Sequence, residues 1–396
     1  HPYVAGTRKN IGMVLAERSD LDAAMEQFEK AKDIYSANNN GSDMSRDVAS
    51  ALSCMGNVEN RQGNFDNALS FYSKALHIFR TLAEKSRWTS TSIQDVTSTL
   101  KIIGMVYSQS LDLDSAMKCF QEAMELLRSS DKPGSSGNNS LAVASILTRM
   151  GGIFFKRDKL KEAMDNYQEA FSVISESIGT TMHPDVAGIY HYMGTIHQKR
   201  NQFNEAMACF KESMRIYTST LGPGNPSIAT TLVCMGSLHY KKCNFDRAMY
   251  FYKEALRLYE NSYGSNHPEV APTLKSIAMI HTKKGEYNEA LDIFTEILGK
   301  KSAALGPCHP EVATAHKSIG HVHLKSGNLT DAEKQYRIAY SIYQSTVGDR
   351  HQDTLGIKVS IDTIRERIGK RRFGRVDGSA RICNKKRYMR SSTFSH

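Results

Sequence analysis

Apolar positions recur along this chain with two periods at once. One is the three-to-four-residue period of an amphipathic helix; the other is a unit of 42 to 48 residues, copied eight times. The longer period is marked by Ala24, Ala68, Ala116, Ala163, Ala206, Ala248, Ala290 and Ala332, each followed four residues later by Phe or Tyr. Twelve residues before each alanine stands a small residue (Gly12, Gly56, Gly104, Gly151, Gly194, Gly236, Ala278 and Gly320), preceded every time by Ile or Met. A leucine or aromatic residue lies three before the alanine, and seven after it comes Ala, Ser213 or Ile297. A period of this length predicts an array of helical hairpins.

The spacing has a mechanical sense. Glycine in the first helix and alanine in the second leave no bulk where two antiparallel helices cross, so the axes approach closely. The alanine and the ring share one helix face at i, i+4. A lone hairpin cannot bury that stripe, so neighbouring hairpins must stack. The spacings between alanines, 44, 48, 47, 43, 42, 42 and 42 residues, place extra loop length near Glu84 to Ser92, which holds the only tryptophan, Trp88, and at Ser129 to Ser140. Trp88 is expected to fold back on the array, and residues 129–140 to form a flexible polar loop.

Two motifs refine the unit. His183, Asn225, His267, His309 and His351 are spaced by 42 residues, and the first four are each followed by proline. Proline suits the first helical turn, where its missing N–H has no partner to lose, and Asp185, Glu269 and Glu311 just behind it suit the helix dipole. His-Pro-x-Val-Ala recurs at His183, His267 and His309, and Leu-Gly-Pro turns occur at 221–223 and 305–307. With the alanine and glycine ladders, these motifs resemble the tetratricopeptide repeat proteins of the kinesin light chain-like, 42-residue subfamily, over about residues 1–364. The resemblance implies an all-α, right-handed superhelical solenoid of about eight hairpins, with repeats starting near 1, 45, 93, 140, 183, 225, 267 and 309. The array is expected to fill 1–350, a capping helix 351–364, and a basic disordered tail 365–396.

Charge changes the picture at two places. The chain carries a net +10, yet residues 365–396 hold eleven Lys and Arg against Glu366 and Asp377, so the repeats are near neutral. Within the repeats, basic residues form a ladder five positions after the small residue (Arg61, Lys156, Lys199, Lys241, Lys283 and Lys325), and a second three positions before it (Lys9, Lys101, Lys275 and Lys317). The resemblance places both rungs on the first helix, on the side that lines the concave groove. There Lys101, Lys156, Lys199, Lys241, Lys275, Lys283, Lys317 and Lys325, with Tyr240 as an apolar contact, are expected to meet an acidic peptide or partner helix. The paired asparagines that the subfamily carries three and two residues before the small position are replaced, by Lys101/Ile102, Lys275/Ser276 and Lys317/Ser318 among others.

No catalytic or cofactor motif is present: no Walker glycine loop, no Gly-x-Ser-x-Gly, no His-Glu-x-x-His. The ladder His197, His239, His281 and His323 reads as packed, hydrogen-bonded histidines, since rungs about 10 Å apart cannot share a metal with bonds near 2 Å. Seven cysteines without Cys-x-x-Cys suggest a reducing, cytoplasmic setting, and no run is apolar enough to insert into a membrane. The chain starts at His1 in repeat register, as a fragment would. It is therefore expected to be a non-enzymatic protein-interaction scaffold without cofactor or metal. A motor-cargo adaptor joined to a kinesin heavy chain is the specific form of that expectation. Two alternatives are nucleic-acid or anionic-surface binding through the basic tail, and the sensor repeats of a larger enzyme. If the register is right, a bulky residue at Ala206 or Ala248 costs roughly 1–3 kcal/mol and Tyr252→Ala roughly 3–5 kcal/mol; an unchanged melting curve for both would refute it.

Overall fold

A computed structural model describes residues 1–38, 42–130 and 139–370. These residues form seventeen helices and no strand. The first unit, 1–220, carries α1 (Pro2–Glu17), α2 (Leu21–Asn38), α3 (Arg46–Gln62), α4 (Phe65–Lys85), α5 (Ser90–Gln109), α6 (Leu113–Ser130), α7 (Ser140–Lys156), α8 (Leu160–Ile178), α9 (Pro184–Lys199) and α10 (Phe203–Leu221). The second, from Leu221, carries α11 (Pro226–Lys241), α12 (Phe245–Tyr263), α13 (Val270–Lys284), α14 (Tyr287–Leu305), α15 (Pro310–Ser326), α16 (Leu329–Thr346) and α17 (352–370). Odd-numbered helices through α15 are the first helices of hairpins. Within each unit the second helices pack both on their own first helix and on that of the next hairpin, as α4 does on α3 and α5, and α14 on α13 and α15.

The close approach read from the sequence is tighter than a bare crossing of small residues. The ring at the fourth position after each alanine lies against the glycine of its own hairpin. A Cβ built on Gly194 would stand 2.6 Å from the Phe210 ring, and on Gly12, 2.7 Å from Phe28. The fit loosens in the second unit: the distance is 3.0 Å at Gly236 and 3.3 Å at Gly320, and Ala278 carries a real Cβ. All eight marker alanines and their rings are buried.

Helix ends follow the punctuation. The imidazole Nδ1 of His183 accepts the backbone N–H of Asp185 at 3.2 Å, His309 that of Glu311 at 3.2 Å, and His351 that of Asp353 at 3.3 Å; the side-chain oxygen of Asn225 does the same for Ser227 at 2.9 Å. Each supplies an acceptor to an otherwise orphaned donor. The turn between first and second helix has one backbone feature throughout. The residue seven after the small position has positive φ in all eight hairpins: Ser19, Gly63, Leu111, Asp158, Asn201, Cys243, Gly285 and Gly327. In every one of these turns but that at Leu111, the N–H that follows closes a Schellman bond five residues back, as from Asn64 to Glu59 at 2.9 Å and from Gln202 to His197 at 2.9 Å.

Trp88 also has positive φ, 55°, and is 37% exposed. Its N–H donates to the Ala83 carbonyl at 2.7 Å, so the insertion closes tightly on the end of α4. Most of the expected 129–140 loop lies outside the described residues, as does the tail from 371. α17 continues to residue 370, six beyond the expected end of the cap. Ile357, Ile361 and Ile364 pack into the Tyr336, Ala339 and Tyr343 core, and Arg365 pairs with Glu333 at 2.9 Å.

Two outcomes test this packing. Gly194→Ala is expected to lower stability by roughly 1–2 kcal/mol, since overpacking by a methyl outweighs the helical advantage of alanine. Gly320→Ala, with room at 3.3 Å, stays near neutral; equal losses in chemical denaturation would contradict ring-on-glycine packing. Leu111, 75% exposed with φ of 67°, carries left-handed strain of about 1–2 kcal/mol for a side-chain-bearing residue. Leu111→Gly is therefore expected to raise the denaturation midpoint, and a fall would refute the strain.

Candidate functional site

One rung of the repeat opens a cleft. It is bounded by the positions one, four and five after the small residue of one first helix, and by the positions two before and one and five after in the next. The rings of the second helices form its floor. In the second unit this rung encloses about 500 Å³ between α13 and α15. Lys275, Met279, Thr282 and Lys283 come from α13, and Lys317, Ser318, His321 and Lys325 from α15. Tyr240 of α11 closes one end, and Tyr287, Phe294 and Tyr336 lie beneath.

Five of the nine residues expected from the sequence meet here: Tyr240, Lys275, Lys283, Lys317 and Lys325. Among the described residues no carboxylate lines the cleft. Lys317 is paired with Asp353 at 3.2 Å, whereas Lys275, Lys283 and Lys325 make no ion pair with any described residue. Their effect is felt by His321, whose pKa is held below the ordinary imidazole value by burial and then by Lys325 and Lys283. Burial also pushes the Tyr240 and Tyr336 phenols upward, so both stay protonated donors at neutral pH. The result is a cation-rich rim over an aromatic floor.

The remaining expected residues are placed elsewhere, and most have other work. In the first unit the ladder five after the small residue reaches back to the end of the preceding first helix. Arg61 Nη1 donates to the Ala16 carbonyl at 2.6 Å, and Lys156 Nζ to the Ser108 carbonyl at 2.8 Å. Lys199 pairs with Asp158 at 2.7 Å and sits 5.0 Å from the Phe155 ring centroid. A helix C-terminus presents unpaired carbonyls and the negative end of its dipole, so a cation there joins adjacent hairpins. Lys101 is half-buried, and burial followed by Arg149 lowers its pKa. Lys241 is exposed on α11, outside the cleft lining.

The same rung recurs in the first unit with other chemistry. Between α5 and α7 it encloses about 230 Å³, with Lys156 already engaged; between α1 and α3, about 320 Å³, with Glu17 and Arg61 both in its lining. The cleft is thus a property of the repeat, and the side chains decide what it fits. Sequence reasoning missed Met279 and His321, which follow the small residue directly. It also assigned Phe294 and Tyr336 wholly to the core. Alignment of the position after the small residue (Met13, Asn57, Met105, Gly152, Met279 and His321) was the available signal.

Three histidines of the ladder are packed: His197 Nδ1 lies 2.9 Å from Gln202 Oε1, His281 Nδ1 2.5 Å from Glu286, and His239 stacks on Phe251. Among the described residues no three His, Cys, Asp or Glu side chains gather as a metal site, and no helix is long and apolar enough to cross a membrane.

Comparison with known proteins agrees with this architecture. A family model described as tetratricopeptide repeat matches residues 47–129, 142–219, 185–261 and 227–299, and a second of the same description matches 276–345. Among solved structures, BtubC (BKLC) from P. vanneervenii is similar with a TM-score of 0.52 at 16% identity, covering 61% of this chain and 92% of that one. A Podosopora anserina protein described as a kinesin light chain with nearly identical TPR-like repeats gives 0.47 at 14% identity over 53% of this chain and 98% of its own. No curated protein matches. The helical hairpins, their ring-on-glycine joints and the family match agree: the chain belongs to the tetratricopeptide repeat family, whose stacked hairpins are scaffolds for protein–protein interaction.

Proposed function

We propose that the chain is a non-enzymatic interaction scaffold that binds an acidic peptide segment in the cleft between α13 and α15. The observation that carries this reading is the set of three lysines, Lys275, Lys283 and Lys325, that face the cleft without an ion pair among the described residues while their counterparts Lys156 and Lys199 are engaged. Charge left uncompensated on a surface attracts and orients an oppositely charged partner. The aromatic floor adds apolar area for one or two side chains of the peptide, and Thr282, Ser318 and Tyr240 offer hydrogen bonds to its backbone. A cytoplasmic setting and a cargo-adaptor role like that of kinesin light chains are the wider form of this proposal. Nucleic-acid binding through the basic tail ranks below it: Arg365, where that tail begins, is already paired with Glu333.

Peptides selected from a random display library on the whole chain are expected to be enriched in Asp and Glu. A selected peptide should bind Lys275→Glu/Lys283→Glu/Lys325→Glu at least about tenfold more weakly, and more weakly as salt rises. Selection without acidic enrichment, or an affinity unchanged by the charge reversal, would sink the proposal.

A further inference from the structure

The lysine cleft between α13 and α15 differs from one end to the other. Lys275 stands eight residues before Lys283 on α13, about 12 Å along the axis at a rise of about 1.5 Å per residue. At one end Lys283 and Lys325, each five after its small residue, come from the two walls of the cleft, and His321 lies four residues before Lys325 on the same helix face. Both ammonium charges are close enough to the imidazole to help lower its pKa. At the other end Lys275 makes no ion pair with a described residue, while Lys317 is held by Asp353 at 3.2 Å.

The imidazole is what the other hairpins lack at this position. The residue after the small one is Met13, Asn57, Met105, Gly152, Thr195, Ser237 and Met279 in the first seven, and His321 in the eighth. The His321 ring makes no hydrogen bond with any described residue, whereas His197 and His281 of the histidine ladder are each engaged. Burial and the two cations keep it neutral at pH 7, so it has one N–H to give. Two ammonium groups and one N–H thus face the same end of the cleft, and no carboxylate among the described residues lines it. A side-chain carboxylate is planar, carries one charge and leaves one of these cations unmatched. A phosphomonoester carries about −1.5 to −2 at neutral pH and offers three acceptor oxygens on different sides, which suits charged donors arriving from separate walls.

We infer that the end of the cleft formed by Lys283, Lys325 and His321 takes a phosphorylated side chain, so that the bound segment is a phosphopeptide; this rests on the peptide-binding reading of the same cleft. The phosphate oxygens accept from Nζ of Lys283 and of Lys325 and from the N–H of His321. Lys275 then meets an acidic residue of the same peptide. An extended chain advances about 3.3 Å per residue, so the distance of about 12 Å between Lys275 and Lys283 puts that acid three or four positions from the phosphate. The side chains between them lie over Met279 and the Phe294 and Tyr336 rings.

The test passes three synthetic peptide libraries over the immobilised whole chain, alike except for a fixed central phosphoserine, glutamate or serine within randomised flanks. The phosphoserine library should be retained best, with Asp or Glu enriched three or four positions from the phosphate. The best peptide should bind at least about tenfold more weakly when its phosphoserine becomes glutamate. That discrimination should vanish in Lys283→Gln/Lys325→Gln and shrink in His321→Ala, whereas Lys275→Gln should keep it and lose the acidic preference. All four side chains are exposed, so the variants should melt with the parent. Equal affinity for the glutamate peptide, or discrimination intact in the double variant, overturns the inference and leaves the acidic-peptide reading standing. Retention of neither acidic nor phosphorylated peptides overturns both. Free phosphoserine binding as tightly as the peptide would make this a site for a free phosphomonoester, which also overturns it.

Discussion

Hairpin after hairpin depends on one contact, the seating of a Phe or Tyr ring on the small residue of the facing helix. The contact fixes the distance between the helices and, through the ring's place four residues after the alanine, their register. It also makes the hairpin incomplete, because the helix that carries the ring has a second face to bury and only the next hairpin can cover it. Stacking therefore follows from the same side chains that close the pair. The contact is tightest at Gly194 and Phe210, and most relaxed at Gly320 and Tyr336. Where it relaxes, Ala278 is accommodated and the rings Phe294 and Tyr336 come to floor a cleft of about 500 Å³.

Basic residues on the first helices divide into two roles that share one position. At Arg61, Lys156 and Lys199 the cation reaches a carbonyl or carboxylate at the end of the preceding first helix. Surface pairs of this sort contribute little energy singly, but each is aimed at a helix terminus, where the dipole favours it. At Lys283 and Lys325 the same rung lacks such a partner among the described residues, and the charge is turned toward the cleft. The difference between a joint and an open, cation-rich rim is thus one of local partners.

The face proposed for a partner is a product of the same repetition. The cleft arises because pairs of first helices leave a rung between them, furnished differently in each hairpin. A repeat protein supplies its own controls: an exposed or unpaired side chain can be judged against copies of the same position in the same molecule.

The sequence by itself determined the helices, their pairing and the ends of most of them, because those rest on local chemistry: a glycine under a ring, an alanine four residues from an aromatic, a His-Pro cap accepting an N–H two residues on. It also named five of the cleft's residues, since position in a repeat fixes which side of a helix a lysine occupies. It did not separate Lys156 and Lys199, engaged at helix ends, from Lys275, Lys283 and Lys325, nor find His321 and Met279. Nor did it show that Leu111 turns through left-handed backbone where Gly63 and Gly285 do so freely. Those distinctions belong to the tertiary structure, because whether a charge is spent or a stripe is covered depends on what the neighbouring hairpin places within a few ångströms of it.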